Sequence, residues 1–95
     1  MFEVKMEGFE KLQRELSELA DAARALDGNL CDLRFDPGDE SSVRDAIARM
    51  EAAVDAKTAR WRSNSAVREI AEKSKQRFRE EILRKASVAR QSNSG

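Results

Sequence analysis

The stretch from Leu30 to Val43, reading LCDLRFDPGDESSV, constrains the fold more than any other, because it interrupts two long helical patterns with a change of period and a stop signal. Cys31, Leu33 and Phe35 alternate with Asp32 and Arg34, the period-2 pattern of a strand with one buried face. Pro37 and Gly38 end that strand. Asp39 then stands where a helix N-cap is needed, before the apolar repeat resumes at Val43.

Upstream, Phe2, Val4 and Met6 alternate with Glu3, Lys5 and Glu7, which predicts a first short strand closed by Gly8. From Phe9 the period changes: Phe9, Leu12, Leu16, Leu19, Ala23 and Leu26 fall on one face of a helix that Gly28 terminates through a left-handed turn. Downstream, Val43, Ile47, Met50, Val54 and Trp61 mark a second helix from Glu40 to Trp61. Polar Lys57 and Thr58 precede Trp61, so the last turn is expected to swing the indole away from solvent. Asn64 or Ser65 can cap a third helix, Ala66 to Arg90, with Val67, Ala71, Ser74, Phe78, Ile82 and Ala89 on its apolar face. The expected fold class is therefore α+β but predominantly helical. Its order is β-α-β-α-α, with a small two-stranded sheet packed against three helices. A two-stranded sheet is marginal in water unless helices cover its apolar face.

Ninety-five residues suffice for one modest core. Residues 1–91 are read as a single domain and residues 92–95, with nothing to bury, as a disordered tail. Charged residues at 38% and aromatics at 5% require that core to be aliphatic. The 18 acids and 18 bases cancel overall but not locally: residues 1–40 carry 11 acids and 5 bases, residues 41–95 carry 7 and 13. Such a dipole implies that an acidic half meets a basic half, within the fold or between copies. The bases concentrate on the third helix, where Arg68, Lys75 and Arg79 flank one side of the apolar stripe and Lys73, Arg77 and Arg84 flank the other. Long basic side chains there can lay their stems on an apolar partner and send their charge to its acids, which the first helix could supply. Together with Trp61, read either as a core anchor or as an interface hot spot, these six bases form the candidate partner-contact set.

The chain has no histidine and no tyrosine, which removes the commonest general base and metal ligand, and no glycine-rich phosphate loop or metal motif compensates. Neither catalysis nor a cofactor is expected. A strand followed by two basic helices has the order of a ribbon-helix-helix reader, yet helices of this length do not fit that compact dimer and the net charge is zero. Nucleic acid is thus not the expected partner. The single cysteine, Cys31, excludes an intramolecular disulfide. No segment has the apolar length of a membrane span or the pattern of a signal peptide, so a cytoplasmic location is expected.

The opening VKMEGFEKLQRELSELADAARALDG and the later FDPGDESSVRDAIARMEAAVDAK resemble small proteins from tailed-phage and prophage structural gene modules. The resemblance lies in Gly8-Phe9-Glu10-Lys11-Leu12 after a short strand, the closing Leu26-Asp27-Gly28, and Phe35-Asp36-Pro37 in the following strand and turn. It covers roughly residues 4–57. It implies a non-enzymatic role in head, neck or tail morphogenesis, in the virion or an assembly intermediate, through contacts with other phage structural proteins or with copies of itself. It carries over no site residues. A small intracellular regulator, toxin-neutralising or nucleic-acid-binding, is the alternative that shares the same absences.

Overall fold

The computed structural model describes residues 2–28 and 33–94, with side chains for 8–28 and 33–91. Three helices form: α1, Phe2–Asp27; α2, Glu40–Thr58; and α3, Ser65–Ser94. A 3-10 turn, Ala59–Trp61, closes α2. No strand occurs among the described residues, so the α+β class with its two-stranded sheet is overturned.

The expected first strand is the first turns of α1. Six alternating residues offer a sheet little, whereas Glu, Lys and Met are good helix formers, and extending an established helix gains a hydrogen bond for each residue fixed. Gly8 does not stop it. A glycine inside a helix costs only about 1 kcal/mol relative to alanine, and the space beside Gly8 is open. The helix does end at Asp27, just before Gly28, but no described glycine has a positive φ, so the left-handed turn is absent.

The second strand has lost its partner and with it any ladder. Residues 33–36 are irregular; Leu30, Cys31 and Asp32 lie outside the described residues. The alternation nevertheless reported burial correctly: Leu33 and Phe35 pack on the core while Arg34 and Asp36 stay exposed. Helices supply the anchors a second strand would have given. Arg49 Nη2 donates to the Arg34 carbonyl at 3.0 Å, and the Asp36 amide donates to Ser42 Oγ at 2.8 Å. At Pro37 and Gly38 the chain turns, the Gly38 amide donating to Asp36 Oδ1 at 2.9 Å and the Asp39 amide to the Asp36 carbonyl at 3.1 Å. Asp39 then caps α2 as expected, extended at φ −108° and ψ 114°, its carboxylate accepting from the Ser41 amide at 3.0 Å.

Helices α2 and α3 form an antiparallel hairpin, since Asp55 pairs with Lys75 and Glu51 with Arg79. Between them lie Val43, Ala46, Met50 and Val54 from α2 and Ala71, Ile82 and Ala86 from α3. The alanines let the backbones approach closely. Trp61 is buried at the closed end against Ala22 and Val67, so the indole does turn inward.

Helix α1 runs parallel to α3. Its Glu15 and Glu18 lie beside Asn64, Ala22 beside Val67, and its end at Leu26 and Asp27 faces Ile70 and Phe78. Residues 2–14 therefore continue past the closed end of the hairpin. The molecule is 71 Å long and 19 by 17 Å across, against roughly 45 Å for its longest helix, α3, alone. At the other end α3 stays helical to Ser94, through the stretch expected to be a disordered tail.

This offset corrects the expected core. Leu19 and Leu26 of the α1 stripe pack inward, but Phe9, Leu12 and Leu16 remain 55%, 55% and 56% exposed. Met50→Ala should accordingly cost about 2–5 kcal/mol, the range for deleting a large buried side chain, whereas Leu16→Ala should stay within about 0.5 kcal/mol of the parent protein. Urea unfolding of the two variants checks both values; equal losses would contradict the placement of α1.

Candidate functional site

Asn64 is the hinge of the molecule's polar architecture. It is 3% exposed, and its side-chain carbonyl accepts from the Ala66 and Val67 amides at 3.0 and 3.3 Å, capping α3. Its amide nitrogen donates to the Glu15 carbonyl at 3.1 Å and to Glu18 Oε1 at 3.0 Å, both on α1. Among the described residues no buried side-chain polar atom lacks a partner.

The six bases of the candidate set separate in space. Lys75 donates to Asp55 Oδ1 at 2.9 Å and to Glu72 Oε2 at 2.7 Å, with only 15% of its side chain exposed. Those bonds, first to Glu72 and then to Asp55, hold its pKa above the ordinary lysine value. Arg79 reaches Glu51. Lys73 pairs with Glu69 one turn away at 3.1 Å, Arg84 pairs with Glu81, and Arg68 Nη1 donates to the Arg62 carbonyl at 2.6 Å. Arg84 correspondingly pulls the exposed Glu81 carboxyl below its usual range. Lys73, Lys75 and Arg79 line a small polar recess with Glu72 and Gln76, and Arg77 lines a larger groove where α1 ends.

The acids serving these bases come from α2 or from α3 itself, not from α1 as expected; among the described residues no ion pair joins α1 to the hairpin. Trp61, the seventh of the set, belongs to the core, where Arg60 covers its ring at 4.8 Å from the centroid.

Two surfaces among the described residues stand apart from these pairs. The first is the exposed apolar line Phe9, Leu12 and Leu16 on the free half of α1. The second is a groove of about 610 Å³ where α1 ends, floored by Leu26, Ile70 and Phe78 and rimmed by Asp27, Arg77 and Glu81. Sequence reasoning took the first for core because its spacing continues unbroken into Leu19, Ala23 and Leu26. The groove depends on where α1 stops along α3, which no local pattern records. Neither surface gathers a catalytic constellation. Among the described residues no three metal-capable side chains come together, and no helix is long and apolar enough to cross a membrane.

Fold and surfaces thus define an elongated three-helix protein with an unmatched apolar seam at one end. Residues 6–93 match the YuaX family model, and over 88 residues the chain is 36% identical to the uncharacterized protein YuaX of Escherichia coli (strain K12), spanning 93% of this chain and 91% of that protein. The chain belongs to the YuaX family. No solved structure matches it.

Asn64→Ala removes a cap and the clamp on α1 together and should cost roughly 1–3 kcal/mol. Asn64→Asp keeps the cap oxygen but sets a second carboxylate beside Glu18. That variant should regain stability as pH falls and the carboxylates protonate, whereas the alanine variant should not; thermal melts from neutral to acidic pH distinguish them. For Lys75 the sign is the reverse. Its folded pKa is raised, so its contribution is complete at neutral pH, up to the ordinary lysine value, and is lost only as pH rises through the folded value. Lys75→Met should therefore remove an alkaline step from the stability profile of the parent protein.

Proposed function

We propose that this protein acts through protein–protein contact, without catalysis, and that the free half of α1 is its contact element. One observation carries the reading: Phe9, Leu12 and Leu16 stand half-exposed in a row on a helix that has already run past its own bundle. Large apolar side chains aligned on a face without cover mark an interaction surface, whereas scattered ones do not. The third helix, by contrast, uses four of its six singled-out bases on acids of α2 and α3. Those same pairs reduce the charge available to phosphate, which favours a protein partner over nucleic acid.

The role in view is assembly or scaffolding. The strand-led layout that resembles phage structural-module proteins is not what this chain forms, and the YuaX relative's description names no activity, so no virion is attached to the proposal. A photo-crosslinking residue placed at Leu12 in cells making the protein should give a discrete protein adduct, while the same residue at Glu69, exposed on α3, should not. Absence of any adduct at Leu12 would overturn the reading.

A further inference from the structure

We propose that the closed end of the α2–α3 hairpin receives an acidic segment of the protein partner; the inference rests on the contact reading above and gives that partner its chemistry. Residues 56–68, AKTARWRSNSAVR, carry Lys57, Arg60, Arg62 and Arg68 and no acid. This stretch lies where α2 passes through the 3-10 turn into α3, with the three arginines exposed and Lys57 half-buried. None of the four bases pairs with an acid among the described residues. The acids that bound the stretch are already engaged, Asp55 by Lys75 and Glu69 by Lys73.

Two of the arginines are held in place by contacts that leave most of their donors free. Arg60 lies over the Trp61 ring at 4.8 Å from its centroid, a stacking that uses no N–H. Arg68 gives one N–H, from Nη1, to the Arg62 carbonyl at 2.6 Å. The remaining donors of each fork match a carboxylate in geometry, and side chains already positioned lose less freedom when an anion arrives. Arg68 also stands in the first turn of α3, which contains no acid. A positive charge there opposes the helix dipole, so helix stability does not account for it, whereas a carboxylate bound beside it would offset that cost.

The size of the charge excess selects the kind of anion. Helix α1 crosses this end with Glu15 and Glu18 beside Asn64, and its preceding turns add Glu10, Lys11 and Arg14. Six bases thus stand against three acids. A duplex laid across the molecule, which is 19 by 17 Å in section, would bring about ten phosphate charges at one per ~1.7 Å, and it would run over the bounding carboxylates. A protein segment bearing a few acids matches the smaller excess. Leu16, next to Glu15, also begins the exposed apolar line, which a peptide can contact and a phosphate backbone cannot.

Anisotropy of a dye-labelled hexaglutamate peptide, titrated with the full-length chain, tests this. The parent protein should bind it, more weakly as salt is added. Arg62→Gln/Arg68→Gln should weaken binding about tenfold or more. The same variant should melt no lower than the parent, because it removes a positive charge from a helix start. Arg62→Lys/Arg68→Lys should retain part of the affinity, and Lys85→Gln/Arg90→Gln, two bases away from the closed end, should retain all of it. Equal loss in the Lys85/Arg90 variant would show attraction to charge in general and overturn the site. No binding to the parent would overturn it as well, and a short DNA duplex bound more tightly than the peptide would overturn the choice of a protein partner. The photo-crosslinked adduct at Leu12 separates this inference from the reading beneath it. An adduct that survives unchanged in Arg62→Gln/Arg68→Gln leaves the contact reading standing and removes the acidic partner, whereas no adduct in the parent removes both.

Discussion

Asn64 holds the third helix of this bundle in place. A single buried amide accepts from the first turn of α3 with its oxygen and donates to α1 with its nitrogen, so the start of one helix and the position of another are fixed by the same side chain. Bonds to the Glu15 carbonyl and the Glu18 carboxylate set the level at which α1 crosses the closed end of the hairpin. Everything unusual about the shape follows from that level. Were α1 to dock about four turns further along α3, its seam would be covered and the groove filled.

The hairpin beneath is held differently. Its core is built largely from small and medium aliphatic groups, among them Ala46, Ala71 and Ala86 around Met50 and Ile82, which allow close helix approach at little cost in side-chain entropy. Lys75 and Arg79 then reach across to Asp55 and Glu51 on one side of that core. Because both pairs connect α2 to α3 at matching levels, they specify the register of the hairpin more than they add to its stability, as is usual for partly exposed ion pairs.

Much of the helical architecture was legible in the sequence. The stripes of α2 and α3, the Asp39 cap, the inward turn of Trp61 and the alternate burial of Leu33 and Phe35 all reflect spacing and local chemistry, which a sequence displays directly. The strands did not form because alternation reports which side chains are buried, not what buries them. At Leu33 and Phe35 the covering surface is a pair of helices, and at Phe2 to Met6 a neighbouring helix extends through the pattern. Nor did periodicity separate Leu16 from Leu19. The two occupy equivalent places on one stripe, and only the length of the hairpin opposite decides which is covered. The contact surfaces were hidden for the same reason: both arise from an offset between helices, and of the six bases that stood out by composition four are engaged by neighbouring acids and Arg68 by a backbone carbonyl.

The offset also grades the stability of the chain along its length. Contacts between α2 and α3 are close in sequence and continuous, so the hairpin can form early and open last; α1 adds to it through only half its length, by Leu19, Ala22, Leu26 and the Asn64 bonds. Between Gly8 and Arg14 the side chains of α1 are exposed, so the backbone amides there rely on the helix itself for protection. Amide exchange should therefore fall in three tiers, fastest between Gly8 and Arg14, slower from Glu18 to Leu26, slowest between Met50 and Ile82. The segment that carries the proposed recognition is thus the one the fold restrains least.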